Sequence, residues 1–153
     1  MANTFSQIYI HLVFAVKGRQ SLIFPDRKEE LHKYITGIVR SQGQKLISIH
    51  CMRDHAHILI GLKPGKCLSD LVREIKTGSA NHINENRWVQ EHFSWQEGFG
   101  AFSWAHSDLG NVVRYIESQE EHHKKWSFRE EFLACLKEFG MAYDERYLFE
   151  EPS

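Results

Sequence analysis

Asp54-His55-Ala56-His57-Ile58-Leu59-Ile60 is the stretch on which the fold turns. Read as a strand, it sends His55 and His57 to one face, while Ala56, Ile58 and Ile60 point the other way, into a core. Two imidazoles side by side on a rigid strand are two ligands of a metal site that lacks a third. The same pattern also suits ordinary polar positions on a half-exposed strand, so the flanking chain has to decide.

Immediately upstream, Lys45–Met52 reads as a strand that reaches His55 through the short Arg53-Asp54 turn, which makes a hairpin. Asp54 has two readings there, orienting a histidine or capping the turn. Gln7–Val16 alternates, with Ile8, Ile10, Leu12, Phe14 and Val16 on one face and Tyr9, His11 and Val13 on the other. His11 reads as a plain partner residue. Lys17-Gly18-Arg19-Gln20 is a turn with two positive charges. Pro25-Asp26 then starts a helix whose apolar positions Leu31, Ile35, Ile38 and Val39 run up to Gly43.

Downstream, Lys63-Pro64-Gly65-Lys66 is a basic turn, followed by a second amphipathic helix from Leu68 to about Asn84. Residues 87–100 are irregular and aromatic, and Trp88, Phe93, Trp95 and Phe99 read as core rather than as a platform for bases. Ala101–His106 alternates small and bulky residues and forms a fourth strand. Ser107-Asp108 caps a third helix with Leu109, Val112, Val113 and Ile116 on its buried stripe. Tyr115 and Gln119, four residues apart, stand one above the other on the flank of that stripe. Ser127-Phe128-Arg129-Glu130 is a capping box opening a fourth helix, lined by Phe128, Phe132, Leu136 and Phe139 and closed by Gly140. Strand–helix–strand–strand–helix–strand predicts an α+β, ferredoxin-like (RRM-like) fold. Two helices cover one face of a four-stranded antiparallel sheet, and C-terminal helices close the other.

The chain has 153 residues, the size of one domain, taken as 1–153 with a core at about 5–126 and a C-terminal helix and acidic tail at about 127–153. Nothing approaches a membrane span, and the early apolar run follows no basic leader. Three cysteines without C-x-x-C suit a reducing cytoplasm. The net charge of −1 argues against indiscriminate nucleic-acid binding. Its distribution is uneven: 13 Lys and Arg against 7 Asp and Glu in residues 1–87, but 6 against 13 in residues 88–153. A basic first part fits a local phosphate-binding surface, for which Lys63, Lys66, Arg73 and Lys76 are candidates.

Gln119 offers an amide oxygen, and Tyr115 a hydroxyl one turn before it, from a helix able to cross the open sheet face. With His55 and His57 this makes a mixed N/O donor set with coordination positions left for phosphate and water. Magnesium or manganese suits it, and zinc would also bind. A divalent ion polarising a phosphate makes phosphorus electrophilic toward a tyrosine hydroxyl. His122-His123 reads as a cap or a contact to neighbours, with a ligand role as the alternative.

Three stretches resemble the HUH-type, single-tyrosine transposases of the smallest bacterial insertion sequences, the IS200-like family. They are Asp54–His57, Trp95–Ser103 and Tyr115–His123, in the family's order and spacing. The resemblance implies a homodimer that binds single-stranded DNA hairpins at the ends of a mobile element. It also implies Tyr115 as the nucleophile forming a 5′-phosphotyrosine, and His55, His57 and Gln119 as ligands of a divalent ion, Mg²⁺ or Mn²⁺. The tyrosine helix can complete the partner subunit's site in this family, and no organic cofactor is needed. A domesticated hairpin-binding protein without transposition is the alternative. A ferredoxin-like RNA-binding or RNA-cleaving protein is a third reading, which would have no use for Tyr115.

Overall fold

A computed structural model describes residues 4–143. The expected tail aromatics Tyr147 and Phe149 lie outside the described residues. The strands are β1 (Tyr9–Ala15), β2 (Lys45–Cys51), β3 (His55–Gly61) and β4 (Gly100–Trp104). The helices are α1 (Lys28–Ser41), α2 (Leu68–Glu85), α3 (Leu109–Glu117), α4 (Gln119–His122) and α5 (Phe128–Glu138). The sheet is antiparallel throughout, in the order β2-β3-β1-β4. This is the ferredoxin-like plan, with the histidine-bearing strand in the centre beside β1.

The two sheet faces divide the apolar residues. Leu12, Phe14, Ala56, Ile58 and Ile60 meet Leu31, Ile35, Leu71 and Ile75 of α1 and α2 in the main core. Phe93 and Trp95 are buried in it as well, and the Trp95 indole N–H donates to Ser79 Oγ at 2.9 Å. On the other face, Val13, Ala15 and Phe102 pack on Phe128, Phe132 and Leu136 of α5, and Leu59 packs on Val112 and Ile116 of α3. His11, His55 and His57 point to this second face because they share the alternation of Val13 and Leu59.

Local departures from the expected boundaries have physical causes. A turn over Phe24–Arg27 precedes α1, so the helix begins at Lys28 rather than at Pro25-Asp26. Asp108 stands before α3 but makes no side-chain cap, since α3 grows directly out of a 3₁₀ turn at His106–Asp108. The Tyr115–Gln119 helix is not continuous. Ser118 breaks it at φ −101°, ψ 27°, with its hydroxyl turned back to the Arg114 carbonyl at 2.7 Å. Arg19, expected in a turn with two positive charges, is buried at φ 54° and paired with Asp54. The α5 capping box is present as expected: the Glu130 N–H donates to Ser127 Oγ at 3.1 Å, and the Ser127 N–H to Glu130 Oε1 at 3.3 Å.

Candidate active site

The hairpin turn and β1 set both strand histidines. Asp54 Oδ1 accepts from His55 Nδ1 at 2.7 Å, while its Oδ2 accepts from Arg19 Nε and Nη2 at 3.0 and 2.8 Å. That fixes the His55 proton on Nδ1 and leaves Nε2 bare. Burial would raise the Asp54 carboxyl, but the His55 hydrogen bond and the Arg19 charge outweigh it and hold Asp54 down at about 2. Burial lowers His55 to about 4, against the opposing pull of Asp54. His57 Nδ1 lies 2.9 Å from His11 Nε2, and the two rings stack at 5.1 Å. Burial, then the neighbouring His57, lowers His11 to about 3, so His11 is neutral. Of the two readings of Asp54, orienting a histidine is the one its geometry fits.

Helix α5 lays an acid against these rings. Phe128 stacks on His55 at 4.1 Å and 21°. Glu131, one turn on and only 5% exposed, puts Oε1 3.1 Å from His57 Nε2 and Oε2 3.0 Å from His122 Nε2. His55 Nε2, His57 Nε2 and both Glu131 oxygens are buried without an aligned hydrogen bond among the described residues. Buried polar atoms left in this way are costly, and a cation among them would satisfy all four. Ligand atoms of His55, His57, His123 and Glu131 all lie within 4.8 Å of one another. The donor chemistry, imidazole nitrogen with carboxylate and amide oxygen, fits a divalent ion.

Gln119 is fully buried at the head of α4. Its Nε2 donates to the Tyr115 carbonyl at 3.3 Å, and its Oε1 is 3.0 Å from His123 Nε2. His123 Nδ1 is 2.9 Å from the Trp126 carbonyl, so both ring nitrogens face oxygen acceptors. Burial alone would lower its pKa, but the carboxylate of Glu131 beside it raises the value. His123 therefore does more than cap a helix: it ties Gln119 to Glu131, 3.4 Å away.

Tyr115 reaches the same place from α3. Its ring stands edge-on to His57 at 6.0 Å and to His11 at 6.3 Å, with His122 at 5.1 Å. Burial, with Glu131 close by, pushes the phenol well above its ordinary range, so the hydroxyl is protonated as it stands. The ring forms part of the wall of an open cleft of about 500 Å³ shared with His11, Trp104, His122, Trp126 and Glu131. A second cleft, of about 670 Å³, meets the cluster at His55 and His123, with Arg53 and Lys28 on its rim. Trp126 borders both and is 52% exposed.

The structure thus gathers His55, His57, Gln119 and Tyr115, which the sequence singled out, and adds Glu131 and His123, which it did not. Glu131 had a signal: it interrupts the apolar stripe of α5, three residues after Phe128 and next to Phe132. The four basic candidates lie elsewhere. Lys63 and Lys66 sit on the turn at the far end of β3 from His55, with Lys66 Nζ 2.6 Å from Gln42 Oε1. Arg73 and Lys76 are on α2, across the sheet from the cluster; Arg73 pairs with Asp70 at 3.0 Å. Lys76 donates to the Gln96 and Gly98 carbonyls at 2.9 and 2.6 Å and is lowered to about 8 by burial. Two of its ammonium protons pin the 96–98 loop through these carbonyls.

An α+β sheet with a tyrosine, two strand histidines and buried oxygen donors on the face that α3 and α5 cover defines a candidate nucleic-acid strand-transfer site. The family described as IS200-like transposases matches residues 4–119, and the chain belongs to that family. It is 24% identical over 122 residues to the ISDra2 transposase TnpA of Deinococcus radiodurans, spanning 75% of this chain and 86% of that protein. Two solved structures share the fold. One, assigned as a transposase of Deinococcus radiodurans, superposes with a TM-score of 0.60 at 21% identity, covering 78% of this chain and 95% of its own. The other, a REP-associated tyrosine transposase bound to a REP hairpin, has a TM-score of 0.60 at 18% identity, covering 83% and 74%. No helix among the described residues is long and apolar enough to cross a membrane.

Proposed function

We propose that this transposase acts on single-stranded DNA, cleaving and rejoining strands through a covalent bond to Tyr115. One observation carries the reading: the Tyr115 ring stands edge-on to His57, 6.0 Å away, in the wall of an open cleft beside buried, unpartnered imidazole nitrogens. His55, His57 and Gln119 are the residues that would hold a divalent ion, Mg²⁺ or Mn²⁺. When bound, such an ion polarises a phosphate oxygen and offsets charge developing on it.

The Tyr115 oxygen attacks phosphorus, and the new O–P bond replaces the bond to the 3′ oxygen. One proton leaves the phenol and one is taken up by the departing oxygen, giving a 5′-phosphotyrosine and a free 3′-OH. The energy of the ester is kept in the phosphotyrosine, so rejoining needs no nucleotide cofactor. Asp54 and Arg19 keep His55 in one tautomer, His11 holds the His57 ring through its Nδ1, and α5 keeps bulk water from the buried side of the cluster. Trp126, half exposed between two clefts, is placed to stack an unpaired base.

The substrate in this reading is a DNA hairpin at the element's end, a preference supported by the hairpin-bound structural relative. The acting form is a homodimer in the cytoplasm. The test is a labelled single-stranded hairpin from the element's own end, incubated with protein and Mg²⁺ or Mn²⁺ and resolved on a denaturing gel. A covalent adduct that chelator abolishes is the expected result. Tight binding of that hairpin with no cleavage would instead identify a domesticated binding protein. Cleavage of RNA without an adduct would overturn the DNA assignment, and a strict monomer by light scattering would overturn the dimer.

A further inference from the structure

Helix α5 begins beyond the stretch matched by the family, which ends at residue 119, yet it delivers a carboxylate into the middle of the site. The placement is enforced. The capping box starts the helix at Ser127, Phe128 stacks on His55, and Phe132 lies against Gly100, where an added Cβ would come within 2.7 Å of its ring. Between these two anchors Glu131 has one direction to point. Its oxygens come within 3.1 Å of His57 Nε2 and 3.0 Å of His122 Nε2 but make no aligned hydrogen bond with either. A carboxylate retained only for structure would accept well-formed hydrogen bonds in so polar a pocket. Short distances with poor alignment are what remains when lone pairs from several groups converge on a common point rather than on one another.

We propose that Glu131 is a ligand of the divalent ion, so that the C-terminal helix completes the metal site. The ligand set becomes two imidazoles, one amide oxygen and one carboxylate. In six-coordinate geometry it leaves two positions for phosphate and water. His123 Nε2 lies 3.0 Å from Gln119 Oε1 and 3.4 Å from Glu131 Oε2, bridging the two oxygens and positioning both. The carboxylate also lowers the net charge of the loaded site by one, which favours retention of the ion when no DNA phosphate is present.

The inference rests on the metal-dependent reading above, and its test separates the two. Mn²⁺ binding to the DNA-free protein is followed by loss of the free-ion EPR signal in the wild type, His57→Ala, Glu131→Gln and Glu121→Gln. The last is a control at an exposed residue on α4. Wild-type binding that His57→Ala abolishes, Glu121→Gln preserves and Glu131→Gln weakens about 10-fold or more is the expected pattern. Glu131→Gln binding within twofold of wild type, in a protein with unchanged circular dichroism, overturns the carboxylate ligand and leaves the metal site standing. Wild-type binding indifferent to His57→Ala overturns the metal site itself. If Glu131→Gln fails to fold, the wild type decides: with ¹³C-carboxylate-labelled glutamate, a ligand produces a ¹³C coupling to bound Mn²⁺. Absence of that coupling overturns the proposal.

Discussion

Asp54→Asn separates the two jobs of a residue that touches both the fold and the site. One oxygen of Asp54 accepts from His55 Nδ1, and the other accepts from Nε and Nη2 of Arg19, whose side chain is only 6% exposed. A carboxamide has one oxygen and one NH₂, so it can accept from the arginine or from the histidine but not from both. It also removes the charge facing a buried guanidinium. Hydrogen bonds to charged groups contribute ~1.5–3 kcal/mol, and breaking a buried pair costs ~3–5 kcal/mol. Asp54 keeps 18% exposure, which places the expected loss near the lower end, at about 3 kcal/mol. With a urea m-value of about 2 kcal/mol/M, the unfolding midpoint falls by roughly 1.5 M. Freed from its Nδ1 partner, His55 can rotate or change tautomer, and Mn²⁺ affinity drops by about 10–100-fold. Urea unfolding followed by tryptophan fluorescence, with a Mn²⁺ titration of the same protein, reads both effects. Lost stability with unchanged Mn²⁺ affinity would refute the orienting role, and an unchanged midpoint would refute the energetics of the Arg19 pair.

Three further outcomes are expected. Gly100→Ala forces its new Cβ against Phe132 and Phe102, at 2.7 and 3.1 Å from ring atoms. It should cost ~1–3 kcal/mol and loosen α5, and near-wild-type urea stability would contradict this packing. His32 Nε2 accepts the Cys51 N–H at 2.9 Å and must be neutral to do so; burial lowers its pKa to about 4, against the pull of Glu29. The unfolded state then binds more protons between pH 6.5 and 4, so stability falls across that window as pH drops, by about 3 kcal/mol in full. His32→Gln should flatten the slope, and identical slopes would refute the assignment. Cys67 is exposed, whereas Cys51 is buried with its thiol pushed up to about 12. Iodoacetamide at pH 8 should therefore alkylate Cys67 and spare Cys51 by mass spectrometry, and early labelling of Cys51 would contradict its burial.

Periodicity made most of the fold legible. Alternation in Gln7–Val16 and His55–Leu62 assigned faces correctly, which is why His11, His55 and His57 meet on the surface opposite α1 and α2. Trp95 and Phe93 read as core and are core. What stayed hidden depended on contacts between elements distant in sequence. Arg19 read only as a charge in a turn, because its burial depends on Asp54, 35 residues later, and on the Phe128 ring 4.6 Å from its guanidinium carbon. The break at Ser118 left no clear mark, since a single serine is tolerated within a helix. Glu131 escaped because the apolar stripe of α5 invited a packing explanation, and His123 was passed over because a cap or a neighbour contact was the favoured reading of His122-His123. An acid inside an apolar stripe is the feature that could have drawn attention to the first.

Whether Tyr115 forms the covalent bond to DNA is decided by mapping the adduct. The protein is reacted with a single-stranded hairpin in Mn²⁺, the adduct is digested with nuclease and protease, and the modified peptide is sequenced by mass spectrometry. A nucleotide phosphate on Tyr115 is the expected result, with no adduct from Tyr115→Phe although that variant still binds the hairpin. An adduct on any other residue, or one that persists in Tyr115→Phe, would contradict it.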